Sequence, residues 1–256
     1  MITRIDLNSD MGERDTPEGL AIDAGIMPLI TSVNIACGGH AGTPELMRRT
    51  AQLAAQSGVA IGAHPGFRDP EHFGRMERTL SSREIEVLVV RQIETLANVL
   101  SQDHLTLTHV KPHGALYNMA GKDPEVAQAI VKAVQAIDRR LVLYAPAGSE
   151  FAKAAHAAGL PVAHEVFADR AYRADGSLVP RSEKGAVLQT EEDVRCQLRQ
   201  LMMGYVTSVE GSSVPIQADS LCLHTDTPHA VLLARMIRNE LESAGIHVAA
   251  VRNERV

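Results

Sequence analysis

Asp6-Leu7-Asn8-Ser9-Asp10 is the stretch on which the architecture turns. Strand side chains alternate faces, so Asp6, Asn8 and Asp10 point one way and Leu7 the other. Two carboxylates and an amide aimed into the interior of a sheet are costly unless they bind something. An N-terminal turn capped by Asp and Asn is the structural alternative. Similar endings recur down the chain. Candidate strands begin near Ile5, Val33, Ala60, Leu107, Leu141, Val162 and Leu221, and most run into a cluster of polar or glycine residues.

Helical patterns fill the intervals. Thr43-Pro44-Glu45 reads as an N-cap, a first-turn proline and a first-turn acid, with Leu46, Met47, Thr50, Leu53 and Ala54 at helical spacing and Gly58 as the stop. Ser81 and Glu84 form a capping box. Asp123-Pro124, Thr190 and Thr227-Pro228 start three more helices. Strands alternating with helices imply a parallel sheet with helices packed outside it. An open doubly wound sheet and a closed barrel both fit. The chain has no Gly-x-Gly-x-x-Gly and no P-loop. Its polar residues gather at the carboxyl ends of strands, where barrels carry their sites. We therefore expect an α/β fold, a β/α barrel of seven strands. A β-hairpin is inserted near residues 205–217, around Glu210-Gly211. No linker or repeat is visible, so residues 1–256 are expected to form a single catalytic domain.

The strand ends supply the candidate chemistry. His109, Lys111 and His113 share a face, and a buried lysine needs a carboxylate, a phosphate or a substrate oxygen. Asp10 and Glu165 are the candidate carboxylates. His109 lies deeper and reads equally well as a hydrogen-bonded core residue. Cys222, His224 and Asp226 share another face. His224 beside Asp226 is a natural acid/base pair, although Asp226 also suits a helix cap, and Cys222 reads as a small buried hydrophobe.

Asn34 leads into Gly38-Gly39-His40, whose glycines permit either close approach of an anion to a helix N-terminus or simply a tight turn. His64 ends another strand. Arg75 follows in an irregular stretch that suits a mouth loop and a bidentate grip on a carboxylate. Glu165 and Asp169 share a face, with Arg170 and Arg181 as their possible ion-pair partners. The aperiodic segment from Asp169 to Thr190 reads as a second mouth loop. Histidines and carboxylates from several strand ends suit either a metal-bound water or acid/base hydrolysis.

Bulk properties narrow the classes. The chain has 256 residues, 45% hydrophobic and 22% charged, which is enough for a sizeable core. A net charge of −6, no Trp and only 3% aromatics argue against a nucleic-acid surface. The three cysteines lack Cys-x-x-Cys spacing, which fits a reducing compartment. No signal peptide and no run of about 20 apolar residues is visible, so a cytoplasmic location without membrane attachment is expected.

At these residues the sequence resembles the LamB/YcsF family. The matching segments are Asp6 through Glu13, Asn34 through Gly42, Gly62-Ala63-His64-Pro65, Phe73-Gly74-Arg75, His109 through Asn118, Glu165 through Arg170, Asp175 through Arg181, and Cys222-Leu223-His224. They run in order over nearly the whole chain. The resemblance implies a barrel similar to the glycoside hydrolase and deacetylase superfamily. It also implies ATP-dependent opening of the cyclic amide of 5-oxo-L-proline to L-glutamate, with partner subunits B and C. The family usually has Asp at Thr43 and Gly at Thr225, departures that bear on substrate more than on fold.

The roles expected under that reading are catalytic for Asp10, Lys111, His113, His224 and Asp226. Substrate binding falls to Asp6, Asn8, Asn34, Gly38, Gly39, Arg75, Asn118, Glu165, Asp169 and Arg170. ATP is consumed, at a site that this chain could share with the partners. Two other readings stay open. One is a stand-alone metal-dependent hydrolase or deacetylase of a sugar or amide, with a divalent metal on Asp10, His40 and His64. The other is a non-catalytic binding subunit.

Overall fold

The structure is a computed structural model that describes residues 2–181, 183–188, 190–224 and 229–251. Seven parallel strands close into a barrel: β1 (Arg4–Met11), β2 (Ser32–Ala36), β3 (Ala60–His64), β4 (Leu107–Val110), β5 (Val142–Pro146), β6 (Val162–Phe167) and β9 (Ser220–Leu223). Each pairs with the next, and β9 closes the ring by pairing Asp6 through Ser9 of β1 with Ser220 through Leu223. β7 (Tyr205–Thr207) and β8 (Ser213–Pro215) form the expected antiparallel hairpin. A short strand that the sequence pattern did not suggest, β10 (His247–Val248), adds to the start of β1.

The helices are α1 (Pro17–Ile26), α2 (Pro44–Gln56), α3 (Ser82–Gln102), α4 (Gly114–Lys122), α5 (Pro124–Ile137), α6 (Glu150–Ala157), α7 (Glu191–Met203) and α8 (Ala230–Ser243). Their starts follow the local chemistry. Thr43 accepts from Leu46 N at the head of α2, Asp123 from Glu125 N at α5, and Thr190 from Asp193 N at α7. Ser81 and Glu84 make both halves of the capping box at α3. Thr16-Pro17 and Ser149 cap α1 and α6 in the same way, two starts not singled out above. Thr225, Asp226 and the Thr227-Pro228 start of the last helix lie outside the described residues.

Strand alternation separates two cores. Leu7, Val33, Ile35, Ile61, Ala63, Val110, Leu143, Val166 and Leu221 face outward into the main apolar core between strands and helices. Each such Leu, Ile or Val side chain contributes about 1.5–3 kcal/mol. Inward positions are largely polar: Asp6, Asn8, Ser32, Asn34, His109, Lys111, Glu165 and Ser220 are all buried. Val142, Tyr144 and Ala163 form a small separate apolar cluster.

Asp23 on α1 is a local weak point. Its carboxylate accepts from Gly12 N at 3.2 Å, yet burial raises its pKa to about 6. The folded chain therefore binds more protons than the unfolded one between about pH 4 and pH 6, and stability falls as pH rises through that window. Asp23→Asn keeps an oxygen for Gly12 and carries no charge. It should raise stability at pH 7 by about 2–3 kcal/mol, with the gain vanishing near pH 4 in urea titrations.

Candidate active site

Lys111 is the hub of the barrel mouth. It follows β4 and is only 3% exposed. Its ammonium lies 2.8 Å from Glu165 Oε1 and 3.0 Å from Asp10 Oδ1, and donates to Asn8 Oδ1 at 3.2 Å and Cys222 Sγ at 3.1 Å. Burial opposes the charge, but Asp10 and Glu165 outweigh it and hold the lysine well above its ordinary pKa. Burial likewise opposes the charge on Asp10, and His64 and Lys111 overcome it to hold that carboxyl well below the usual range. Burial pushes the Cys222 thiol well up, so it stays protonated. The two carboxylates expected as partners of Lys111 are thus both engaged, one from β1 and one from β6, strands separated only by β9.

Asp6, Asn8 and Asn34 lie beneath this layer, fully buried, and do not line the cavity. Asp6 accepts from Thr31 at 2.6 Å, Ser32 at 2.7 Å, Tyr144 at 3.0 Å, and Ser220. Asn34 donates to Asn8 Oδ1 at 2.7 Å and to Asp10 Oδ1 at 2.8 Å. The polar stripe of β1 is therefore a support that fixes Asp10 and Lys111 from below. His109 belongs to the same underlayer, 2.9 Å from Asn34 Oδ1. Gly62 makes room for it, since a Cβ there would lie 2.1 Å from His109 Nε2.

One side of the mouth gathers three imidazoles and a carboxylate. Glu13 follows β1, His40 precedes α2, His64 ends β3, and His113 follows β4. One ligand atom from each lies within 4.8 Å of all the others. The set fits a divalent metal. Burial and the neighbouring His64 lower His40 to about 2, and burial with His64 and His40 holds His113 well below its ordinary value. Burial and Asp10 raise Glu13.

The Phe73-Gly74 turn seals this cluster. Phe73 sits at φ 56°, an uncommon conformation for a bulky residue, and packs edge-on to His40 and His113. Gly74 is required at φ 63°, because a Cβ would come within 2.8 Å of His40 Cβ. Gly38 and Gly39 form the tight turn that delivers His40, and neither lines the cavity. Asp10, read above as a ligand beside His40 and His64, stands at the edge of the cluster, 3.3 Å from His64 Nε2. Glu13 was missed because it lies past the strand, where alternation no longer assigns a face.

The far wall comes from β6, β9 and the segment that follows β6. Glu165 takes a hydrogen bond from Tyr117 on its second oxygen. His224 Nδ1 lies 2.7 Å from Asp169 Oδ2, a partner the sequence did not suggest; Asp226 lies outside the described residues. Burial opposes the Asp169 charge, and His224 outweighs it to keep the carboxyl below its ordinary range.

Arg170, expected to touch substrate, lines the cavity but is largely buried, with its guanidinium turned to the backbone of the wall. Its guanidinium donates to Val179 O at 2.7 Å and Ala186 O at 3.2 Å, and so ties down the loop over residues 171–188. Burial lowers it to about 10. Arg170→Met should raise KM about tenfold with kcat nearly kept and open the loop to limited proteolysis.

These walls enclose a cavity of about 1090 Å³. Asp10, Glu13, Arg75, Lys111, His113, Asn118, Glu165 and His224 are among its lining residues. The volume lies just above the usual range for small-molecule sites. Selectivity for a small ring must then come from placed polar groups rather than from tight enclosure.

Known proteins resemble this chain over nearly its whole length. The chain is 49% identical over 251 residues to the A subunit of 5-oxoprolinase from Geobacillus thermodenitrificans, covering 98% of each. It is 45% identical over 253 residues to the Bacillus subtilis protein of the same name, again covering 98% of each. The crystal structure of a lactam utilization protein from Thermus thermophilus superimposes with a TM-score of 0.89 at 42% identity, over 97% of this chain and 100% of that one. A family 4 carbohydrate esterase from Streptomyces lividans, 8% identical with a TM-score of 0.51 over 99% of this chain and 95% of that one, shares the fold alone. The LamB/YcsF family profile matches residues 5–256, and the chain belongs to the LamB/YcsF family.

Proposed function

We propose that this chain is the ring-opening subunit of an ATP-dependent 5-oxoprolinase, converting 5-oxo-L-proline to L-glutamate with partner subunits B and C. The observation that carries the reading is the Asp10–Lys111–Glu165 array at the floor of the cavity, in a chain whose relatives bear that name over their full length. Opening the ring requires an oxygen nucleophile at the amide carbon, cleavage of the C–N bond and a proton for the departing nitrogen. Asp10, ionised and partly open to the cavity, is placed to take a proton. Lys111 and Arg75 offer positive charge to anionic oxygens. His224, oriented by Asp169, faces the cavity and is placed to protonate the nitrogen.

An unstrained lactam resists water, and ATP can activate its oxygen as a phosphate ester. We place the nucleotide at a site shared with the partner subunits. Purified chain should release glutamate from 5-oxo-L-proline only with subunits B and C and ATP. No release from the complete set rejects the proposal.

A hydrolase that works alone with a metal is the second reading, favoured by the Glu13, His40, His64 and His113 cluster. Turnover of the lactam without ATP and partners would select it. A non-catalytic subunit predicts unchanged complex activity after Lys111→Ala or His113→Ala.

A further inference from the structure

Hydrogen-bond accounting around the histidine cluster leads beyond the ring-opening reading and does not depend on it. A neutral imidazole has one N–H and one bare nitrogen, and a backbone carbonyl only accepts. His64 Nδ1 lies 2.7 Å from Lys111 O, so that nitrogen carries the hydrogen. His113 Nε2 lies 2.8 Å from Phe73 O, so it carries the hydrogen there. With both rings neutral, the remaining nitrogens, His64 Nε2 and His113 Nδ1, are bare and stand 2.9 Å apart, and Asp10 Oδ2 faces the same His64 nitrogen at 3.3 Å. Two lone pairs at that distance repel unless a cation or an extra proton lies between them.

The surroundings repeat the same convergence. Glu13 Oε1 is 3.1 Å from His40 Nε2, 3.5 Å from His113 Nδ1 and 3.9 Å from His64 Nε2. The other nitrogen of His40 is buried with no partner. Carbonyl groups that lock two tautomers behind the facing nitrogens are the usual outer-shell arrangement of a metal centre. His40 closes the rear, and Glu13, His64 and His113 line the cavity, which leaves one side of the cluster open to a ligand.

We infer that Glu13, His40, His64 and His113 bind one divalent transition-metal ion, such as Zn²⁺, Co²⁺ or Mn²⁺, at the cavity floor. Three imidazoles and one carboxylate suit such ions and disfavour Mg²⁺ and Ca²⁺, which prefer all-oxygen sets. When bound, the ion supplies Lewis acidity facing the cavity. Asp10 is a positioning residue for this site, through its contact with His64.

The test uses the full chain, stripped with a chelator and dialysed. Zn²⁺ titrated into it by calorimetry should bind at one ion per chain with micromolar or tighter Kd, release protons and raise the melting temperature. Mg²⁺ and Ca²⁺ should bind roughly 100-fold more weakly. Co²⁺ should give a visible ligand-field spectrum that Zn²⁺ abolishes. His64→Asn and His113→Asn should each weaken Zn²⁺ uptake roughly 100-fold, while His164→Asn, on the outer face of β6, leaves it unchanged. Circular dichroism of each variant checks that it is folded. Absence of one-ion uptake by the wild-type chain overturns the inference, as does uptake that both cluster variants retain. A protonated imidazole at His64 or His113 in ¹⁵N spectra of the protein kept with Zn²⁺ also overturns it. None of these readings uses the lactam, so they stand apart from a failure of the ring-opening assay.

Discussion

Lys111→Met will lower kcat/KM for ring opening by about a thousandfold or more and destabilise the chain by about 3–5 kcal/mol. The stability loss arises because Asp10 and Glu165 are left facing each other across the mouth without the ammonium that joins them. The rate loss follows from the same disorder, since Asp10 no longer has a fixed position beneath the substrate. Lys111→Arg will rescue little. A planar fork cannot occupy a compact point between Glu165, Asp10, Asn8 and Cys222. Adding Glu165→Gln to Lys111→Met will recover part of the stability, because it removes one unpaired charge, but not the activity.

Acid separates the two partners. The pKa of Asp10 is depressed, so its stabilising contribution is complete above the ordinary carboxylate range near pH 4 and is lost as pH falls through its lower folded value. Lys111 stays charged throughout. Urea midpoints of wild type and Lys111→Met should therefore differ most near pH 7 and converge in strong acid. A constant gap down to pH 2 would show that the ion pair is not the source of the loss.

Asp169→Asn will lower kcat about 100- to 1000-fold with little change in KM. An amide at this position can hold His224 in the wrong tautomer and cannot balance a positive charge on the imidazole. His224→Ala should give a similar loss, and the double variant little more, because the two act as one unit. Nitrogen leaving-group chemistry offers the sharper check. A substrate analogue whose ring nitrogen departs without protonation should lose most of its dependence on Asp169. Equal loss on both substrates would leave His224 without the acid role. The depressed pKa of Asp169 also makes its pairing a contribution present above about pH 4 and lost below its folded value, so the stability gap between wild type and Asp169→Asn should close in acid.

The strand layer was legible in the sequence because alternation is a local rule. It assigned Asp6, Asn8 and Asp10 to one face and Leu7 to the other, and all seven barrel strands fall where their starts were read. Depth along the strand was not legible. Asp6 and Asn8 share the face of Asp10, yet lie under the floor because they stand four and two residues earlier on β1 and so enter the barrel deeper. Pairing across the ring was also hidden. β6 and β9 align Phe167 with Cys222, so Asp169 and His224, each two residues further on, meet at the rim. Nothing in either segment alone announces that closure, and Asp226 was the nearer choice on paper. Arg170 was not legible either. It lies past the end of β6, where alternation no longer assigns a face, and its charge is used on the backbone of the loop although the residue lines the cavity.

That anchoring has an evolutionary corollary. Arg170 holds the segment over residues 171–188 through the carbonyl groups of Val179 and Ala186, which every amino acid possesses. Side chains along this wall can drift without loosening its attachment, while the floor beneath keeps its strand-borne reactive groups. Such a division lets ligand preference diversify among descendants at a small number of replaceable positions, with the underlying chemistry inherited intact.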